Sequence, residues 1–195
     1  MNKIMTRMRQ WYENWNAMKA RLKQRSIWAF RLVDFIETIV VALAVALLIR
    51  KYVVMVSLVP SGSMIPTFQI RDRLIVNRFI YRFTEPNRGD IIVFKSTTDD
   101  KDYVKRCIGL PGETVEMKNG YVYINGKLLV LSGVDIQRDR TNFGPMVVPP
   151  SSYFVLGDNR GNSRDSRYWG VVPKSHLMGK SLFTFWPISQ MRVLR

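Results

Sequence analysis

Three hydrophobic patterns follow one another along the chain. Between residues 3 and 25, Met8, Trp11, Trp15, Met18 and Leu22 recur at spacings of three and four, the period of one helical face. Lys19, Arg21, Lys23 and Arg25 make that stretch basic. Two readings stand side by side: a helix lying on an anionic bilayer surface, or a partly disordered basic tail. From Val33 to Ile49 the pattern becomes a near-continuous apolar run, free of charge from Thr38 onward. Twelve uncharged residues are too few for a bilayer core, which needs about 20. Extending the run back to Ile27 supplies the length and takes in Arg31, Asp34 and Glu37, spaced by three so that they share a face and can pair with one another. Arg50 and Lys51 close the other end and can snorkel to headgroups.

After Lys51 the period shortens to that of strands. Leu74–Ile80, Asp90–Phe94 (entered through the Arg88-Gly89 turn) and Asp102–Ile108 read as β-strands, then Glu116–Lys118, Tyr121–Ile124 and Lys127–Leu129, and last Ser152–Leu156 and Leu182–Trp186. Asn119-Gly120 and Asn125-Gly126 fall between alternating runs, the strongest short-range hairpin signal. The region from 132 to 150 has no clear pattern. The expected fold is mainly β: an antiparallel β domain behind one N-terminal transmembrane helix. Its segments are a basic cytoplasmic stretch (1–26), an anchor (27–51) and a β-rich domain (52–195), within which 113–152 forms an accessory hairpin and loop region.

Charge sets the orientation. The formal net charge is +15. Residues 1–32 carry about +7, residues 33–51 cancel, and residues 52–195 carry about +8. The denser positive cluster precedes the apolar run, so the N-terminus is expected in the cytoplasm and residues 52–195 on the outer side of the membrane. Ala42, Ala44 and Ala46 offer the small-residue spacing of a cleavable signal, but inside the apolar run rather than after it; an uncleaved anchor is the favoured reading. The charge brings no zinc-finger spacing and no aromatic strand pair typical of nucleic-acid binders. Anionic phospholipid is therefore the expected partner, and nucleic acid is not.

Cys107 is the single cysteine and His176 the single histidine. The first can form neither an intrachain disulfide nor a cysteine metal cluster, and reads as a buried strand residue. The second sits in a polar turn after Pro173, so a histidine-based catalytic triad is not expected. Chemistry is sought instead in four segments. Pro60-Ser61-Gly62-Ser63-Met64-Ile65-Pro66-Thr67 is a stiff loop, since proline fixes φ and removes a donor; a serine held there is a nucleophile only with a base in reach. Arg71-Asp72-Arg73 is a charged turn feeding a strand. In the third, Arg88-Gly89-Asp90 through Gly112, alternation puts Tyr103, Lys105 and Cys107 on one face and Val104, Arg106 and Ile108 on the other. One of Lys105 and Arg106 then points inward unless the strand is a wet edge. A buried lysine is pushed toward neutrality and can take a serine proton. The fourth, Gly157 to Gly170, is rich in Gly, Asn, Asp and Ser, which reads equally as a tight hydrogen-bonded loop. Asp158 and Asp165 are conceivable metal ligands, but the adjoining Arg160 and Arg167 argue against a metal.

These segments, in this order and behind an anchor, resemble those of bacterial type I signal peptidases (leader peptidases), across most of residues 55–175. The resemblance implies a β-rich serine endopeptidase with a Ser-Lys dyad, needing no cofactor and no metal, that removes signal peptides from exported preproteins, with the protein export machinery as a further partner. It implies Ser63 as nucleophile and Lys105 as general base. The Ser63 N–H and the Ser61 hydroxyl would form the oxyanion hole, and Ser163 would orient the Lys105 amine. Asp158 with Arg106, and Asp165 with Arg167, would be supporting ion pairs, and Met64 would shape the pocket. The stretch between Gly112 and Tyr153 is short where some members carry a larger second domain.

Other readings remain. Self-cleaving repressors also use a Ser-Lys pair, but carry a DNA-binding domain instead of an anchor. The S-x-x-K acylases are excluded at this site because Pro66 stands at the lysine position. A non-enzymatic anchored β domain is the third. Phe68, Phe79, Tyr81 and Phe83 are either core or an apolar surface touching the membrane.

Overall fold

The apolar run folds as helix, as its composition requires. In this computed structural model, which describes residues 2–193, α1 spans Asn2–Arg25 and α2 Ile27–Tyr52. The 26 residues of α2 give about 39 Å of rise, more than the roughly 30 Å of a bilayer core. It is the one helix among the described residues long and apolar enough to cross a membrane. The basic stretch is helical throughout, with Trp11 and Trp15 stacked at 6.0 Å. Asp34 and Glu37 do not pair with Arg31 as expected. Lys19 of α1 reaches both carboxylates, at 2.7 and 2.6 Å, and Arg31 lies over the Trp28 ring instead. The pairing went across helices because the long α1 lysine supplies one cation between two acids a turn apart.

The chain divides into two units, Met1–Arg50 and Lys51–Arg195. The second contains β1 (Val54–Leu58), β2 (Arg73–Asn77), β3 (Ile91–Lys95), β4 (Asp102–Gly109), β5 (Thr114–Lys118), β6 (Tyr121–Ile124), β7 (Lys127–Leu128), β8 (Phe143–Val147), β9 (Ser152–Leu156), α3 (Ser166–Trp169), β10 (Val172–Pro173), β11 (Leu177–Trp186) and β12 (Arg192–Val193). The strands form an eight-stranded sheet in the order β1-β2-β11-β3-β4-β9-β10, with β12 on β11, and a four-stranded sheet β7-β6-β5-β8. Every pairing between these strands is antiparallel.

Several elements differ from the sequence reading. β2 stops at Asn77, whose side chain accepts from the N–H groups of Phe79 and Ile80 and turns the chain. β11 starts at Leu177 because its first part pairs with β3 before its second part pairs with β2. The patternless region holds β8, paired to β5; it contains Pro145, tolerated on an edge. The asparagine–glycine turns form as expected, Asn119 and Gly120 both having positive φ.

The large sheet is buried on both faces. Val59, Met64, Phe68, Ile91, Val93 and Val104 pack on one side, and Ile92, Phe94, Cys107, Tyr153 and Val155 on the other. Phe68 and Tyr81 are core, whereas Phe79 and Phe83 are exposed.

Candidate active site

Ser63 lies in a single 3-10 turn, Gly62–Met64, entered from extended Ser61. The turn is fixed from two sides. Met64 and Phe68 are buried below it, joined by Phe68 N–H to Met64 O at 2.9 Å. From above, Asn159 donates its N–H to Ser63 O at 3.1 Å and its side chain to Gly62 O at 3.2 Å. Proline and buried anchors thus hold the nucleophile candidate rigidly while its hydroxyl faces β4.

Lys105 faces it from the middle of β4, paired with Ile92 of β3. Its Nζ lies 2.6 Å from Ser63 Oγ and also donates to Val104 O at 3.2 Å. The side chain is 2 % exposed, and Lys105 makes no ion pair among the described residues. Burial pushes its pKa down from 10.5 to about 8, against the opposing pull of Asp165 and Asp158. The shift corresponds to about 3 kcal/mol of disfavoured charge. It brings a free amine within range of neutral pH, in contact with an alcohol.

Arg106, the next residue, is equally buried, which corrects the expectation that only one of the pair points inward. β4 is a central strand with both faces covered. Asp158 receives the Arg106 guanidinium through two bonds, at 2.8 and 2.6 Å, and Gly89 O takes a third at 2.7 Å. Thr67 donates to the same carboxylate, so the pair ties the serine loop to β4 and to the segment after β9. Breaking one side of so buried a pair costs about 3–5 kcal/mol.

Asp165 caps α3 by accepting from Arg167 N–H. It also accepts from Gly157 N–H at 3.0 Å and from the Arg167 guanidinium at 2.8 and 2.9 Å. Arg167 extends to Asp139 at 2.7 Å. Burial works against ionisation of Asp139, but hydrogen bonds from Thr141 and Arg167 outweigh it and hold its carboxyl below the usual range. Asp158 and Asp165 are therefore each committed to an arginine, and no group of three or more metal-ligating side chains comes together among the described residues.

Ser61 is exposed, its hydroxyl donating to Ser63 Oγ at 3.4 Å. Ser163 is buried, but its hydroxyl makes no bond to Lys105 and has no hydrogen-bond partner among the described residues. The amine is already occupied by Ser63 and Val104, and the Ser163 hydroxyl packs against the Gly157 backbone. Met64 lines, with Ser61 and Ser63, a groove of about 370 Å³ whose other wall is the stretch from Lys101 to Lys105. β4 pairs with β9 only from Arg106 onward, so that wall is an open strand edge. His176 stands in a partly exposed turn, its ring against Lys95 O. Sequence reasoning missed Thr67, Asp139, Gly157 and Asn159. Asn159 and Gly157 lie inside the fourth segment that drew notice, whereas Asp139 sits in the patternless region with no local signal.

Comparison with known proteins gives a consistent picture. Residues 32–186 match the family described as "Signal peptidase, peptidase S26". Signal peptidase I of Leptolyngbya laminosa is 43 % identical over 168 residues, 82 % of each chain. Signal peptidase I S of Bacillus subtilis (strain 168) is 42 % identical over 172 residues, 83 % of this chain and 92 % of that protein. A solved signal peptidase I from Enterococcus faecalis V583 is 38 % identical, covering 50 % of this chain and 97 % of its own, with a TM-score of 0.44.

Proposed function

The chain belongs to the peptidase S26 family of signal peptidases, and from that premise we propose that it is a membrane-bound serine endopeptidase removing signal peptides from exported preproteins, with Ser63 as nucleophile and Lys105 as general base. The observation that carries this reading is the 2.6 Å contact between a buried lysine amine and a serine hydroxyl. In the neutral form of Lys105 the hydrogen bond reverses, and the Ser63 hydroxyl donates to the amine. As Oγ attacks the scissile carbonyl, its proton passes to Nζ and the C–O bond forms. The tetrahedral oxyanion is met by the Ser63 N–H, which has no intrahelical partner at the start of its turn, and by the Ser61 hydroxyl, which gives up its long contact with Ser63. Nζ then protonates the departing amine as the C–N bond breaks. Water then gives a proton to the same, now neutral, amine and bonds to the acyl carbon; the C–Oγ bond breaks, and Oγ takes the proton back from Nζ as the acid product leaves.

Substrate binding follows from the open edge of β4. An extended peptide lying in the groove between Val59–Ser61 and Asp102–Lys105 gains main-chain hydrogen bonds by strand addition. Met64 narrows the floor and favours small side chains. Ser163, unpartnered at rest, is at hand to hold the Lys105 amine once acylation takes Ser63 away from it. Asp158–Arg106, with Thr67 on the same carboxylate, ties the serine loop to β4, and Asp165–Arg167 braces the segment from Gly157 to Arg167.

The membrane reading rests on α2 and on charge. The cluster before α2 favours an N-terminus in the cytoplasm, which puts residues 52–195 on the outer side of the cytoplasmic membrane. The basic face of α1 suits anionic phospholipid on the inner leaflet. The export machinery, the further partner of this reading, would bring the preprotein across to that outer side.

The test is cleavage of a preprotein by Ser63→Ala and Lys105→Met variants whose folding is checked by circular dichroism. Both are expected to lose at least about a thousandfold in kcat/KM. Ordinary turnover by folded Ser63→Ala removes the assignment.

A further inference from the structure

The second unit carries an anion-receptive hollow that the proteolytic site does not use. It is about 820 Å³ in volume and is lined by Lys51, Arg78, Arg82 and Lys174 over a floor that includes Tyr81 and Leu177. No carboxylate lines it. Lys174 shares its charge with Glu85. Lys51, Arg78 and Arg82 form no ion pair among the described residues, being engaged only with the Tyr52 ring, the Lys51 carbonyl and the Phe79 ring respectively. Three cations facing one concavity without a counter-charge repel one another, and an anion relieves that repulsion.

Its position along the chain names the anion. Lys51 and Tyr52 are the last residues of α2, directly after the uncharged apolar run. If α2 spans a bilayer, Lys51 stands at headgroup level, and the hollow that its side chain lines opens beside it. Phe79 and Phe83, exposed and packed together at 4.8 Å, flank Arg82 with apolar surface of the kind that enters the interface. A cationic hollow beside exposed aromatics at the bilayer surface fits a phosphodiester headgroup that bears a net negative charge.

We propose that Lys51, Arg78, Arg82 and Lys174 form a binding site for the headgroup of an anionic phospholipid, which seats the catalytic unit on the outer leaflet. The inference rests on the membrane-spanning reading of α2. Seating would fix the height of the groove above the bilayer, where a cleavage site emerging from an inserted signal peptide must be met.

The test uses the full chain reconstituted in vesicles of phosphatidylcholine alone or mixed with phosphatidylglycerol. Flotation with vesicles of both compositions, resistant to alkaline extraction, reports the α2 anchor independently; failure there removes the spanning reading and this inference with it. With the anchor in place, amide exchange across residues 78–83 and 174–178 is expected to slow as phosphatidylglycerol is added, and to recover at high salt. Each of Arg78→Gln and Arg82→Gln is expected to raise the half-saturating mole fraction about fivefold, and the pair about 25-fold, while cleavage of a short soluble peptide is unchanged. Equal protection in pure phosphatidylcholine overturns the proposal in favour of aromatic insertion alone. Equal protection by inorganic phosphate added to phosphatidylcholine vesicles overturns it in favour of a free-anion site. A double variant as protected as the parent overturns it outright.

Discussion

Replacing Gly157 by alanine tests whether the separation of Ser63 and Lys105 is what the fold sets. An added Cβ would lie 2.2 Å from Ser163 Oγ and 2.5 Å from Ser63 O. The Ser163 hydroxyl can rotate away, but Ser163 Cβ, also 2.5 Å from the added atom, moves only with its backbone. Ser63 O is itself backbone, held at 3.1 Å by Asn159 N–H, and has to shift bodily. Ordinary contact begins near 3.4 Å, so the Ser63 turn must move by about 0.9 Å against β9 and its partner β4. Misplacement on that scale costs about a hundredfold in rate, and overpacking costs about 1–3 kcal/mol in stability. We therefore expect kcat/KM for preprotein cleavage to fall about a hundredfold in a protein that still unfolds cooperatively in urea. Gly161→Ala in the same loop is the control, since its Cβ meets only Asp139 Cβ at 4.0 Å; it should stay within about 0.5 kcal/mol and near parental activity. Gly157→Ala variants that are folded and cleave within about threefold of the parent would refute the reasoning, because the serine would then tolerate a displacement that the dyad should not.

Three further outcomes follow from the charges around Ser63 and Lys105. If neutral Lys105 is the base, kcat/KM falls about tenfold per pH unit below its pKa of about 8; a flat profile through that region would exclude the amine as base. The same shift affects stability: between about 8 and 10.5 the unfolded chain binds the proton that the native chain has released, so stability rises with pH across that window by about 3 kcal/mol, and Lys105→Met should lack the rise in urea titrations. Asp158→Ala leaves the Arg106 guanidinium buried without its carboxylate and should cost about 3–5 kcal/mol in urea unfolding, most of it recovered in Arg106→Met/Asp158→Leu; a loss under about 1 kcal/mol would show that water reaches the guanidinium.

How far the chain could be read in advance depended on whether a feature is local. Asn119-Gly120 and Asn125-Gly126 specify their turns through their own φ angles, and Tyr121–Ile124 between them is the strand expected. Four strands are not expected from the pattern, Val54–Leu58, Phe143–Val147 and the two-residue Val172–Pro173 and Arg192–Val193; each pairs with a single neighbour, where alternation is weakly enforced. Asp139 reaches Arg167 across 28 positions, and no local pattern announces such a partner.

Alternation alone gives Lys105 and Arg106 opposite sides, one inward and one outward, yet the neighbouring strand Ile91-Ile92-Val93-Phe94 is apolar at every position, the mark of a sheet covered on both faces. A strand paired to it has no outward side, so both cations had to be buried. Once both are inside, their different chemistry decides their states. The guanidinium cannot give up its proton, and the fold meets it with the two oxygens of Asp158. The ammonium can, and the fold gives it a hydroxyl and a carbonyl in place of a carboxylate. Exchanging the two residues would put a permanent charge beside Ser63 and a labile one beside Asp158. The order Lys-Arg along one strand thus leaves the first residue free of a carboxylate beside Ser63 and makes the second a strut.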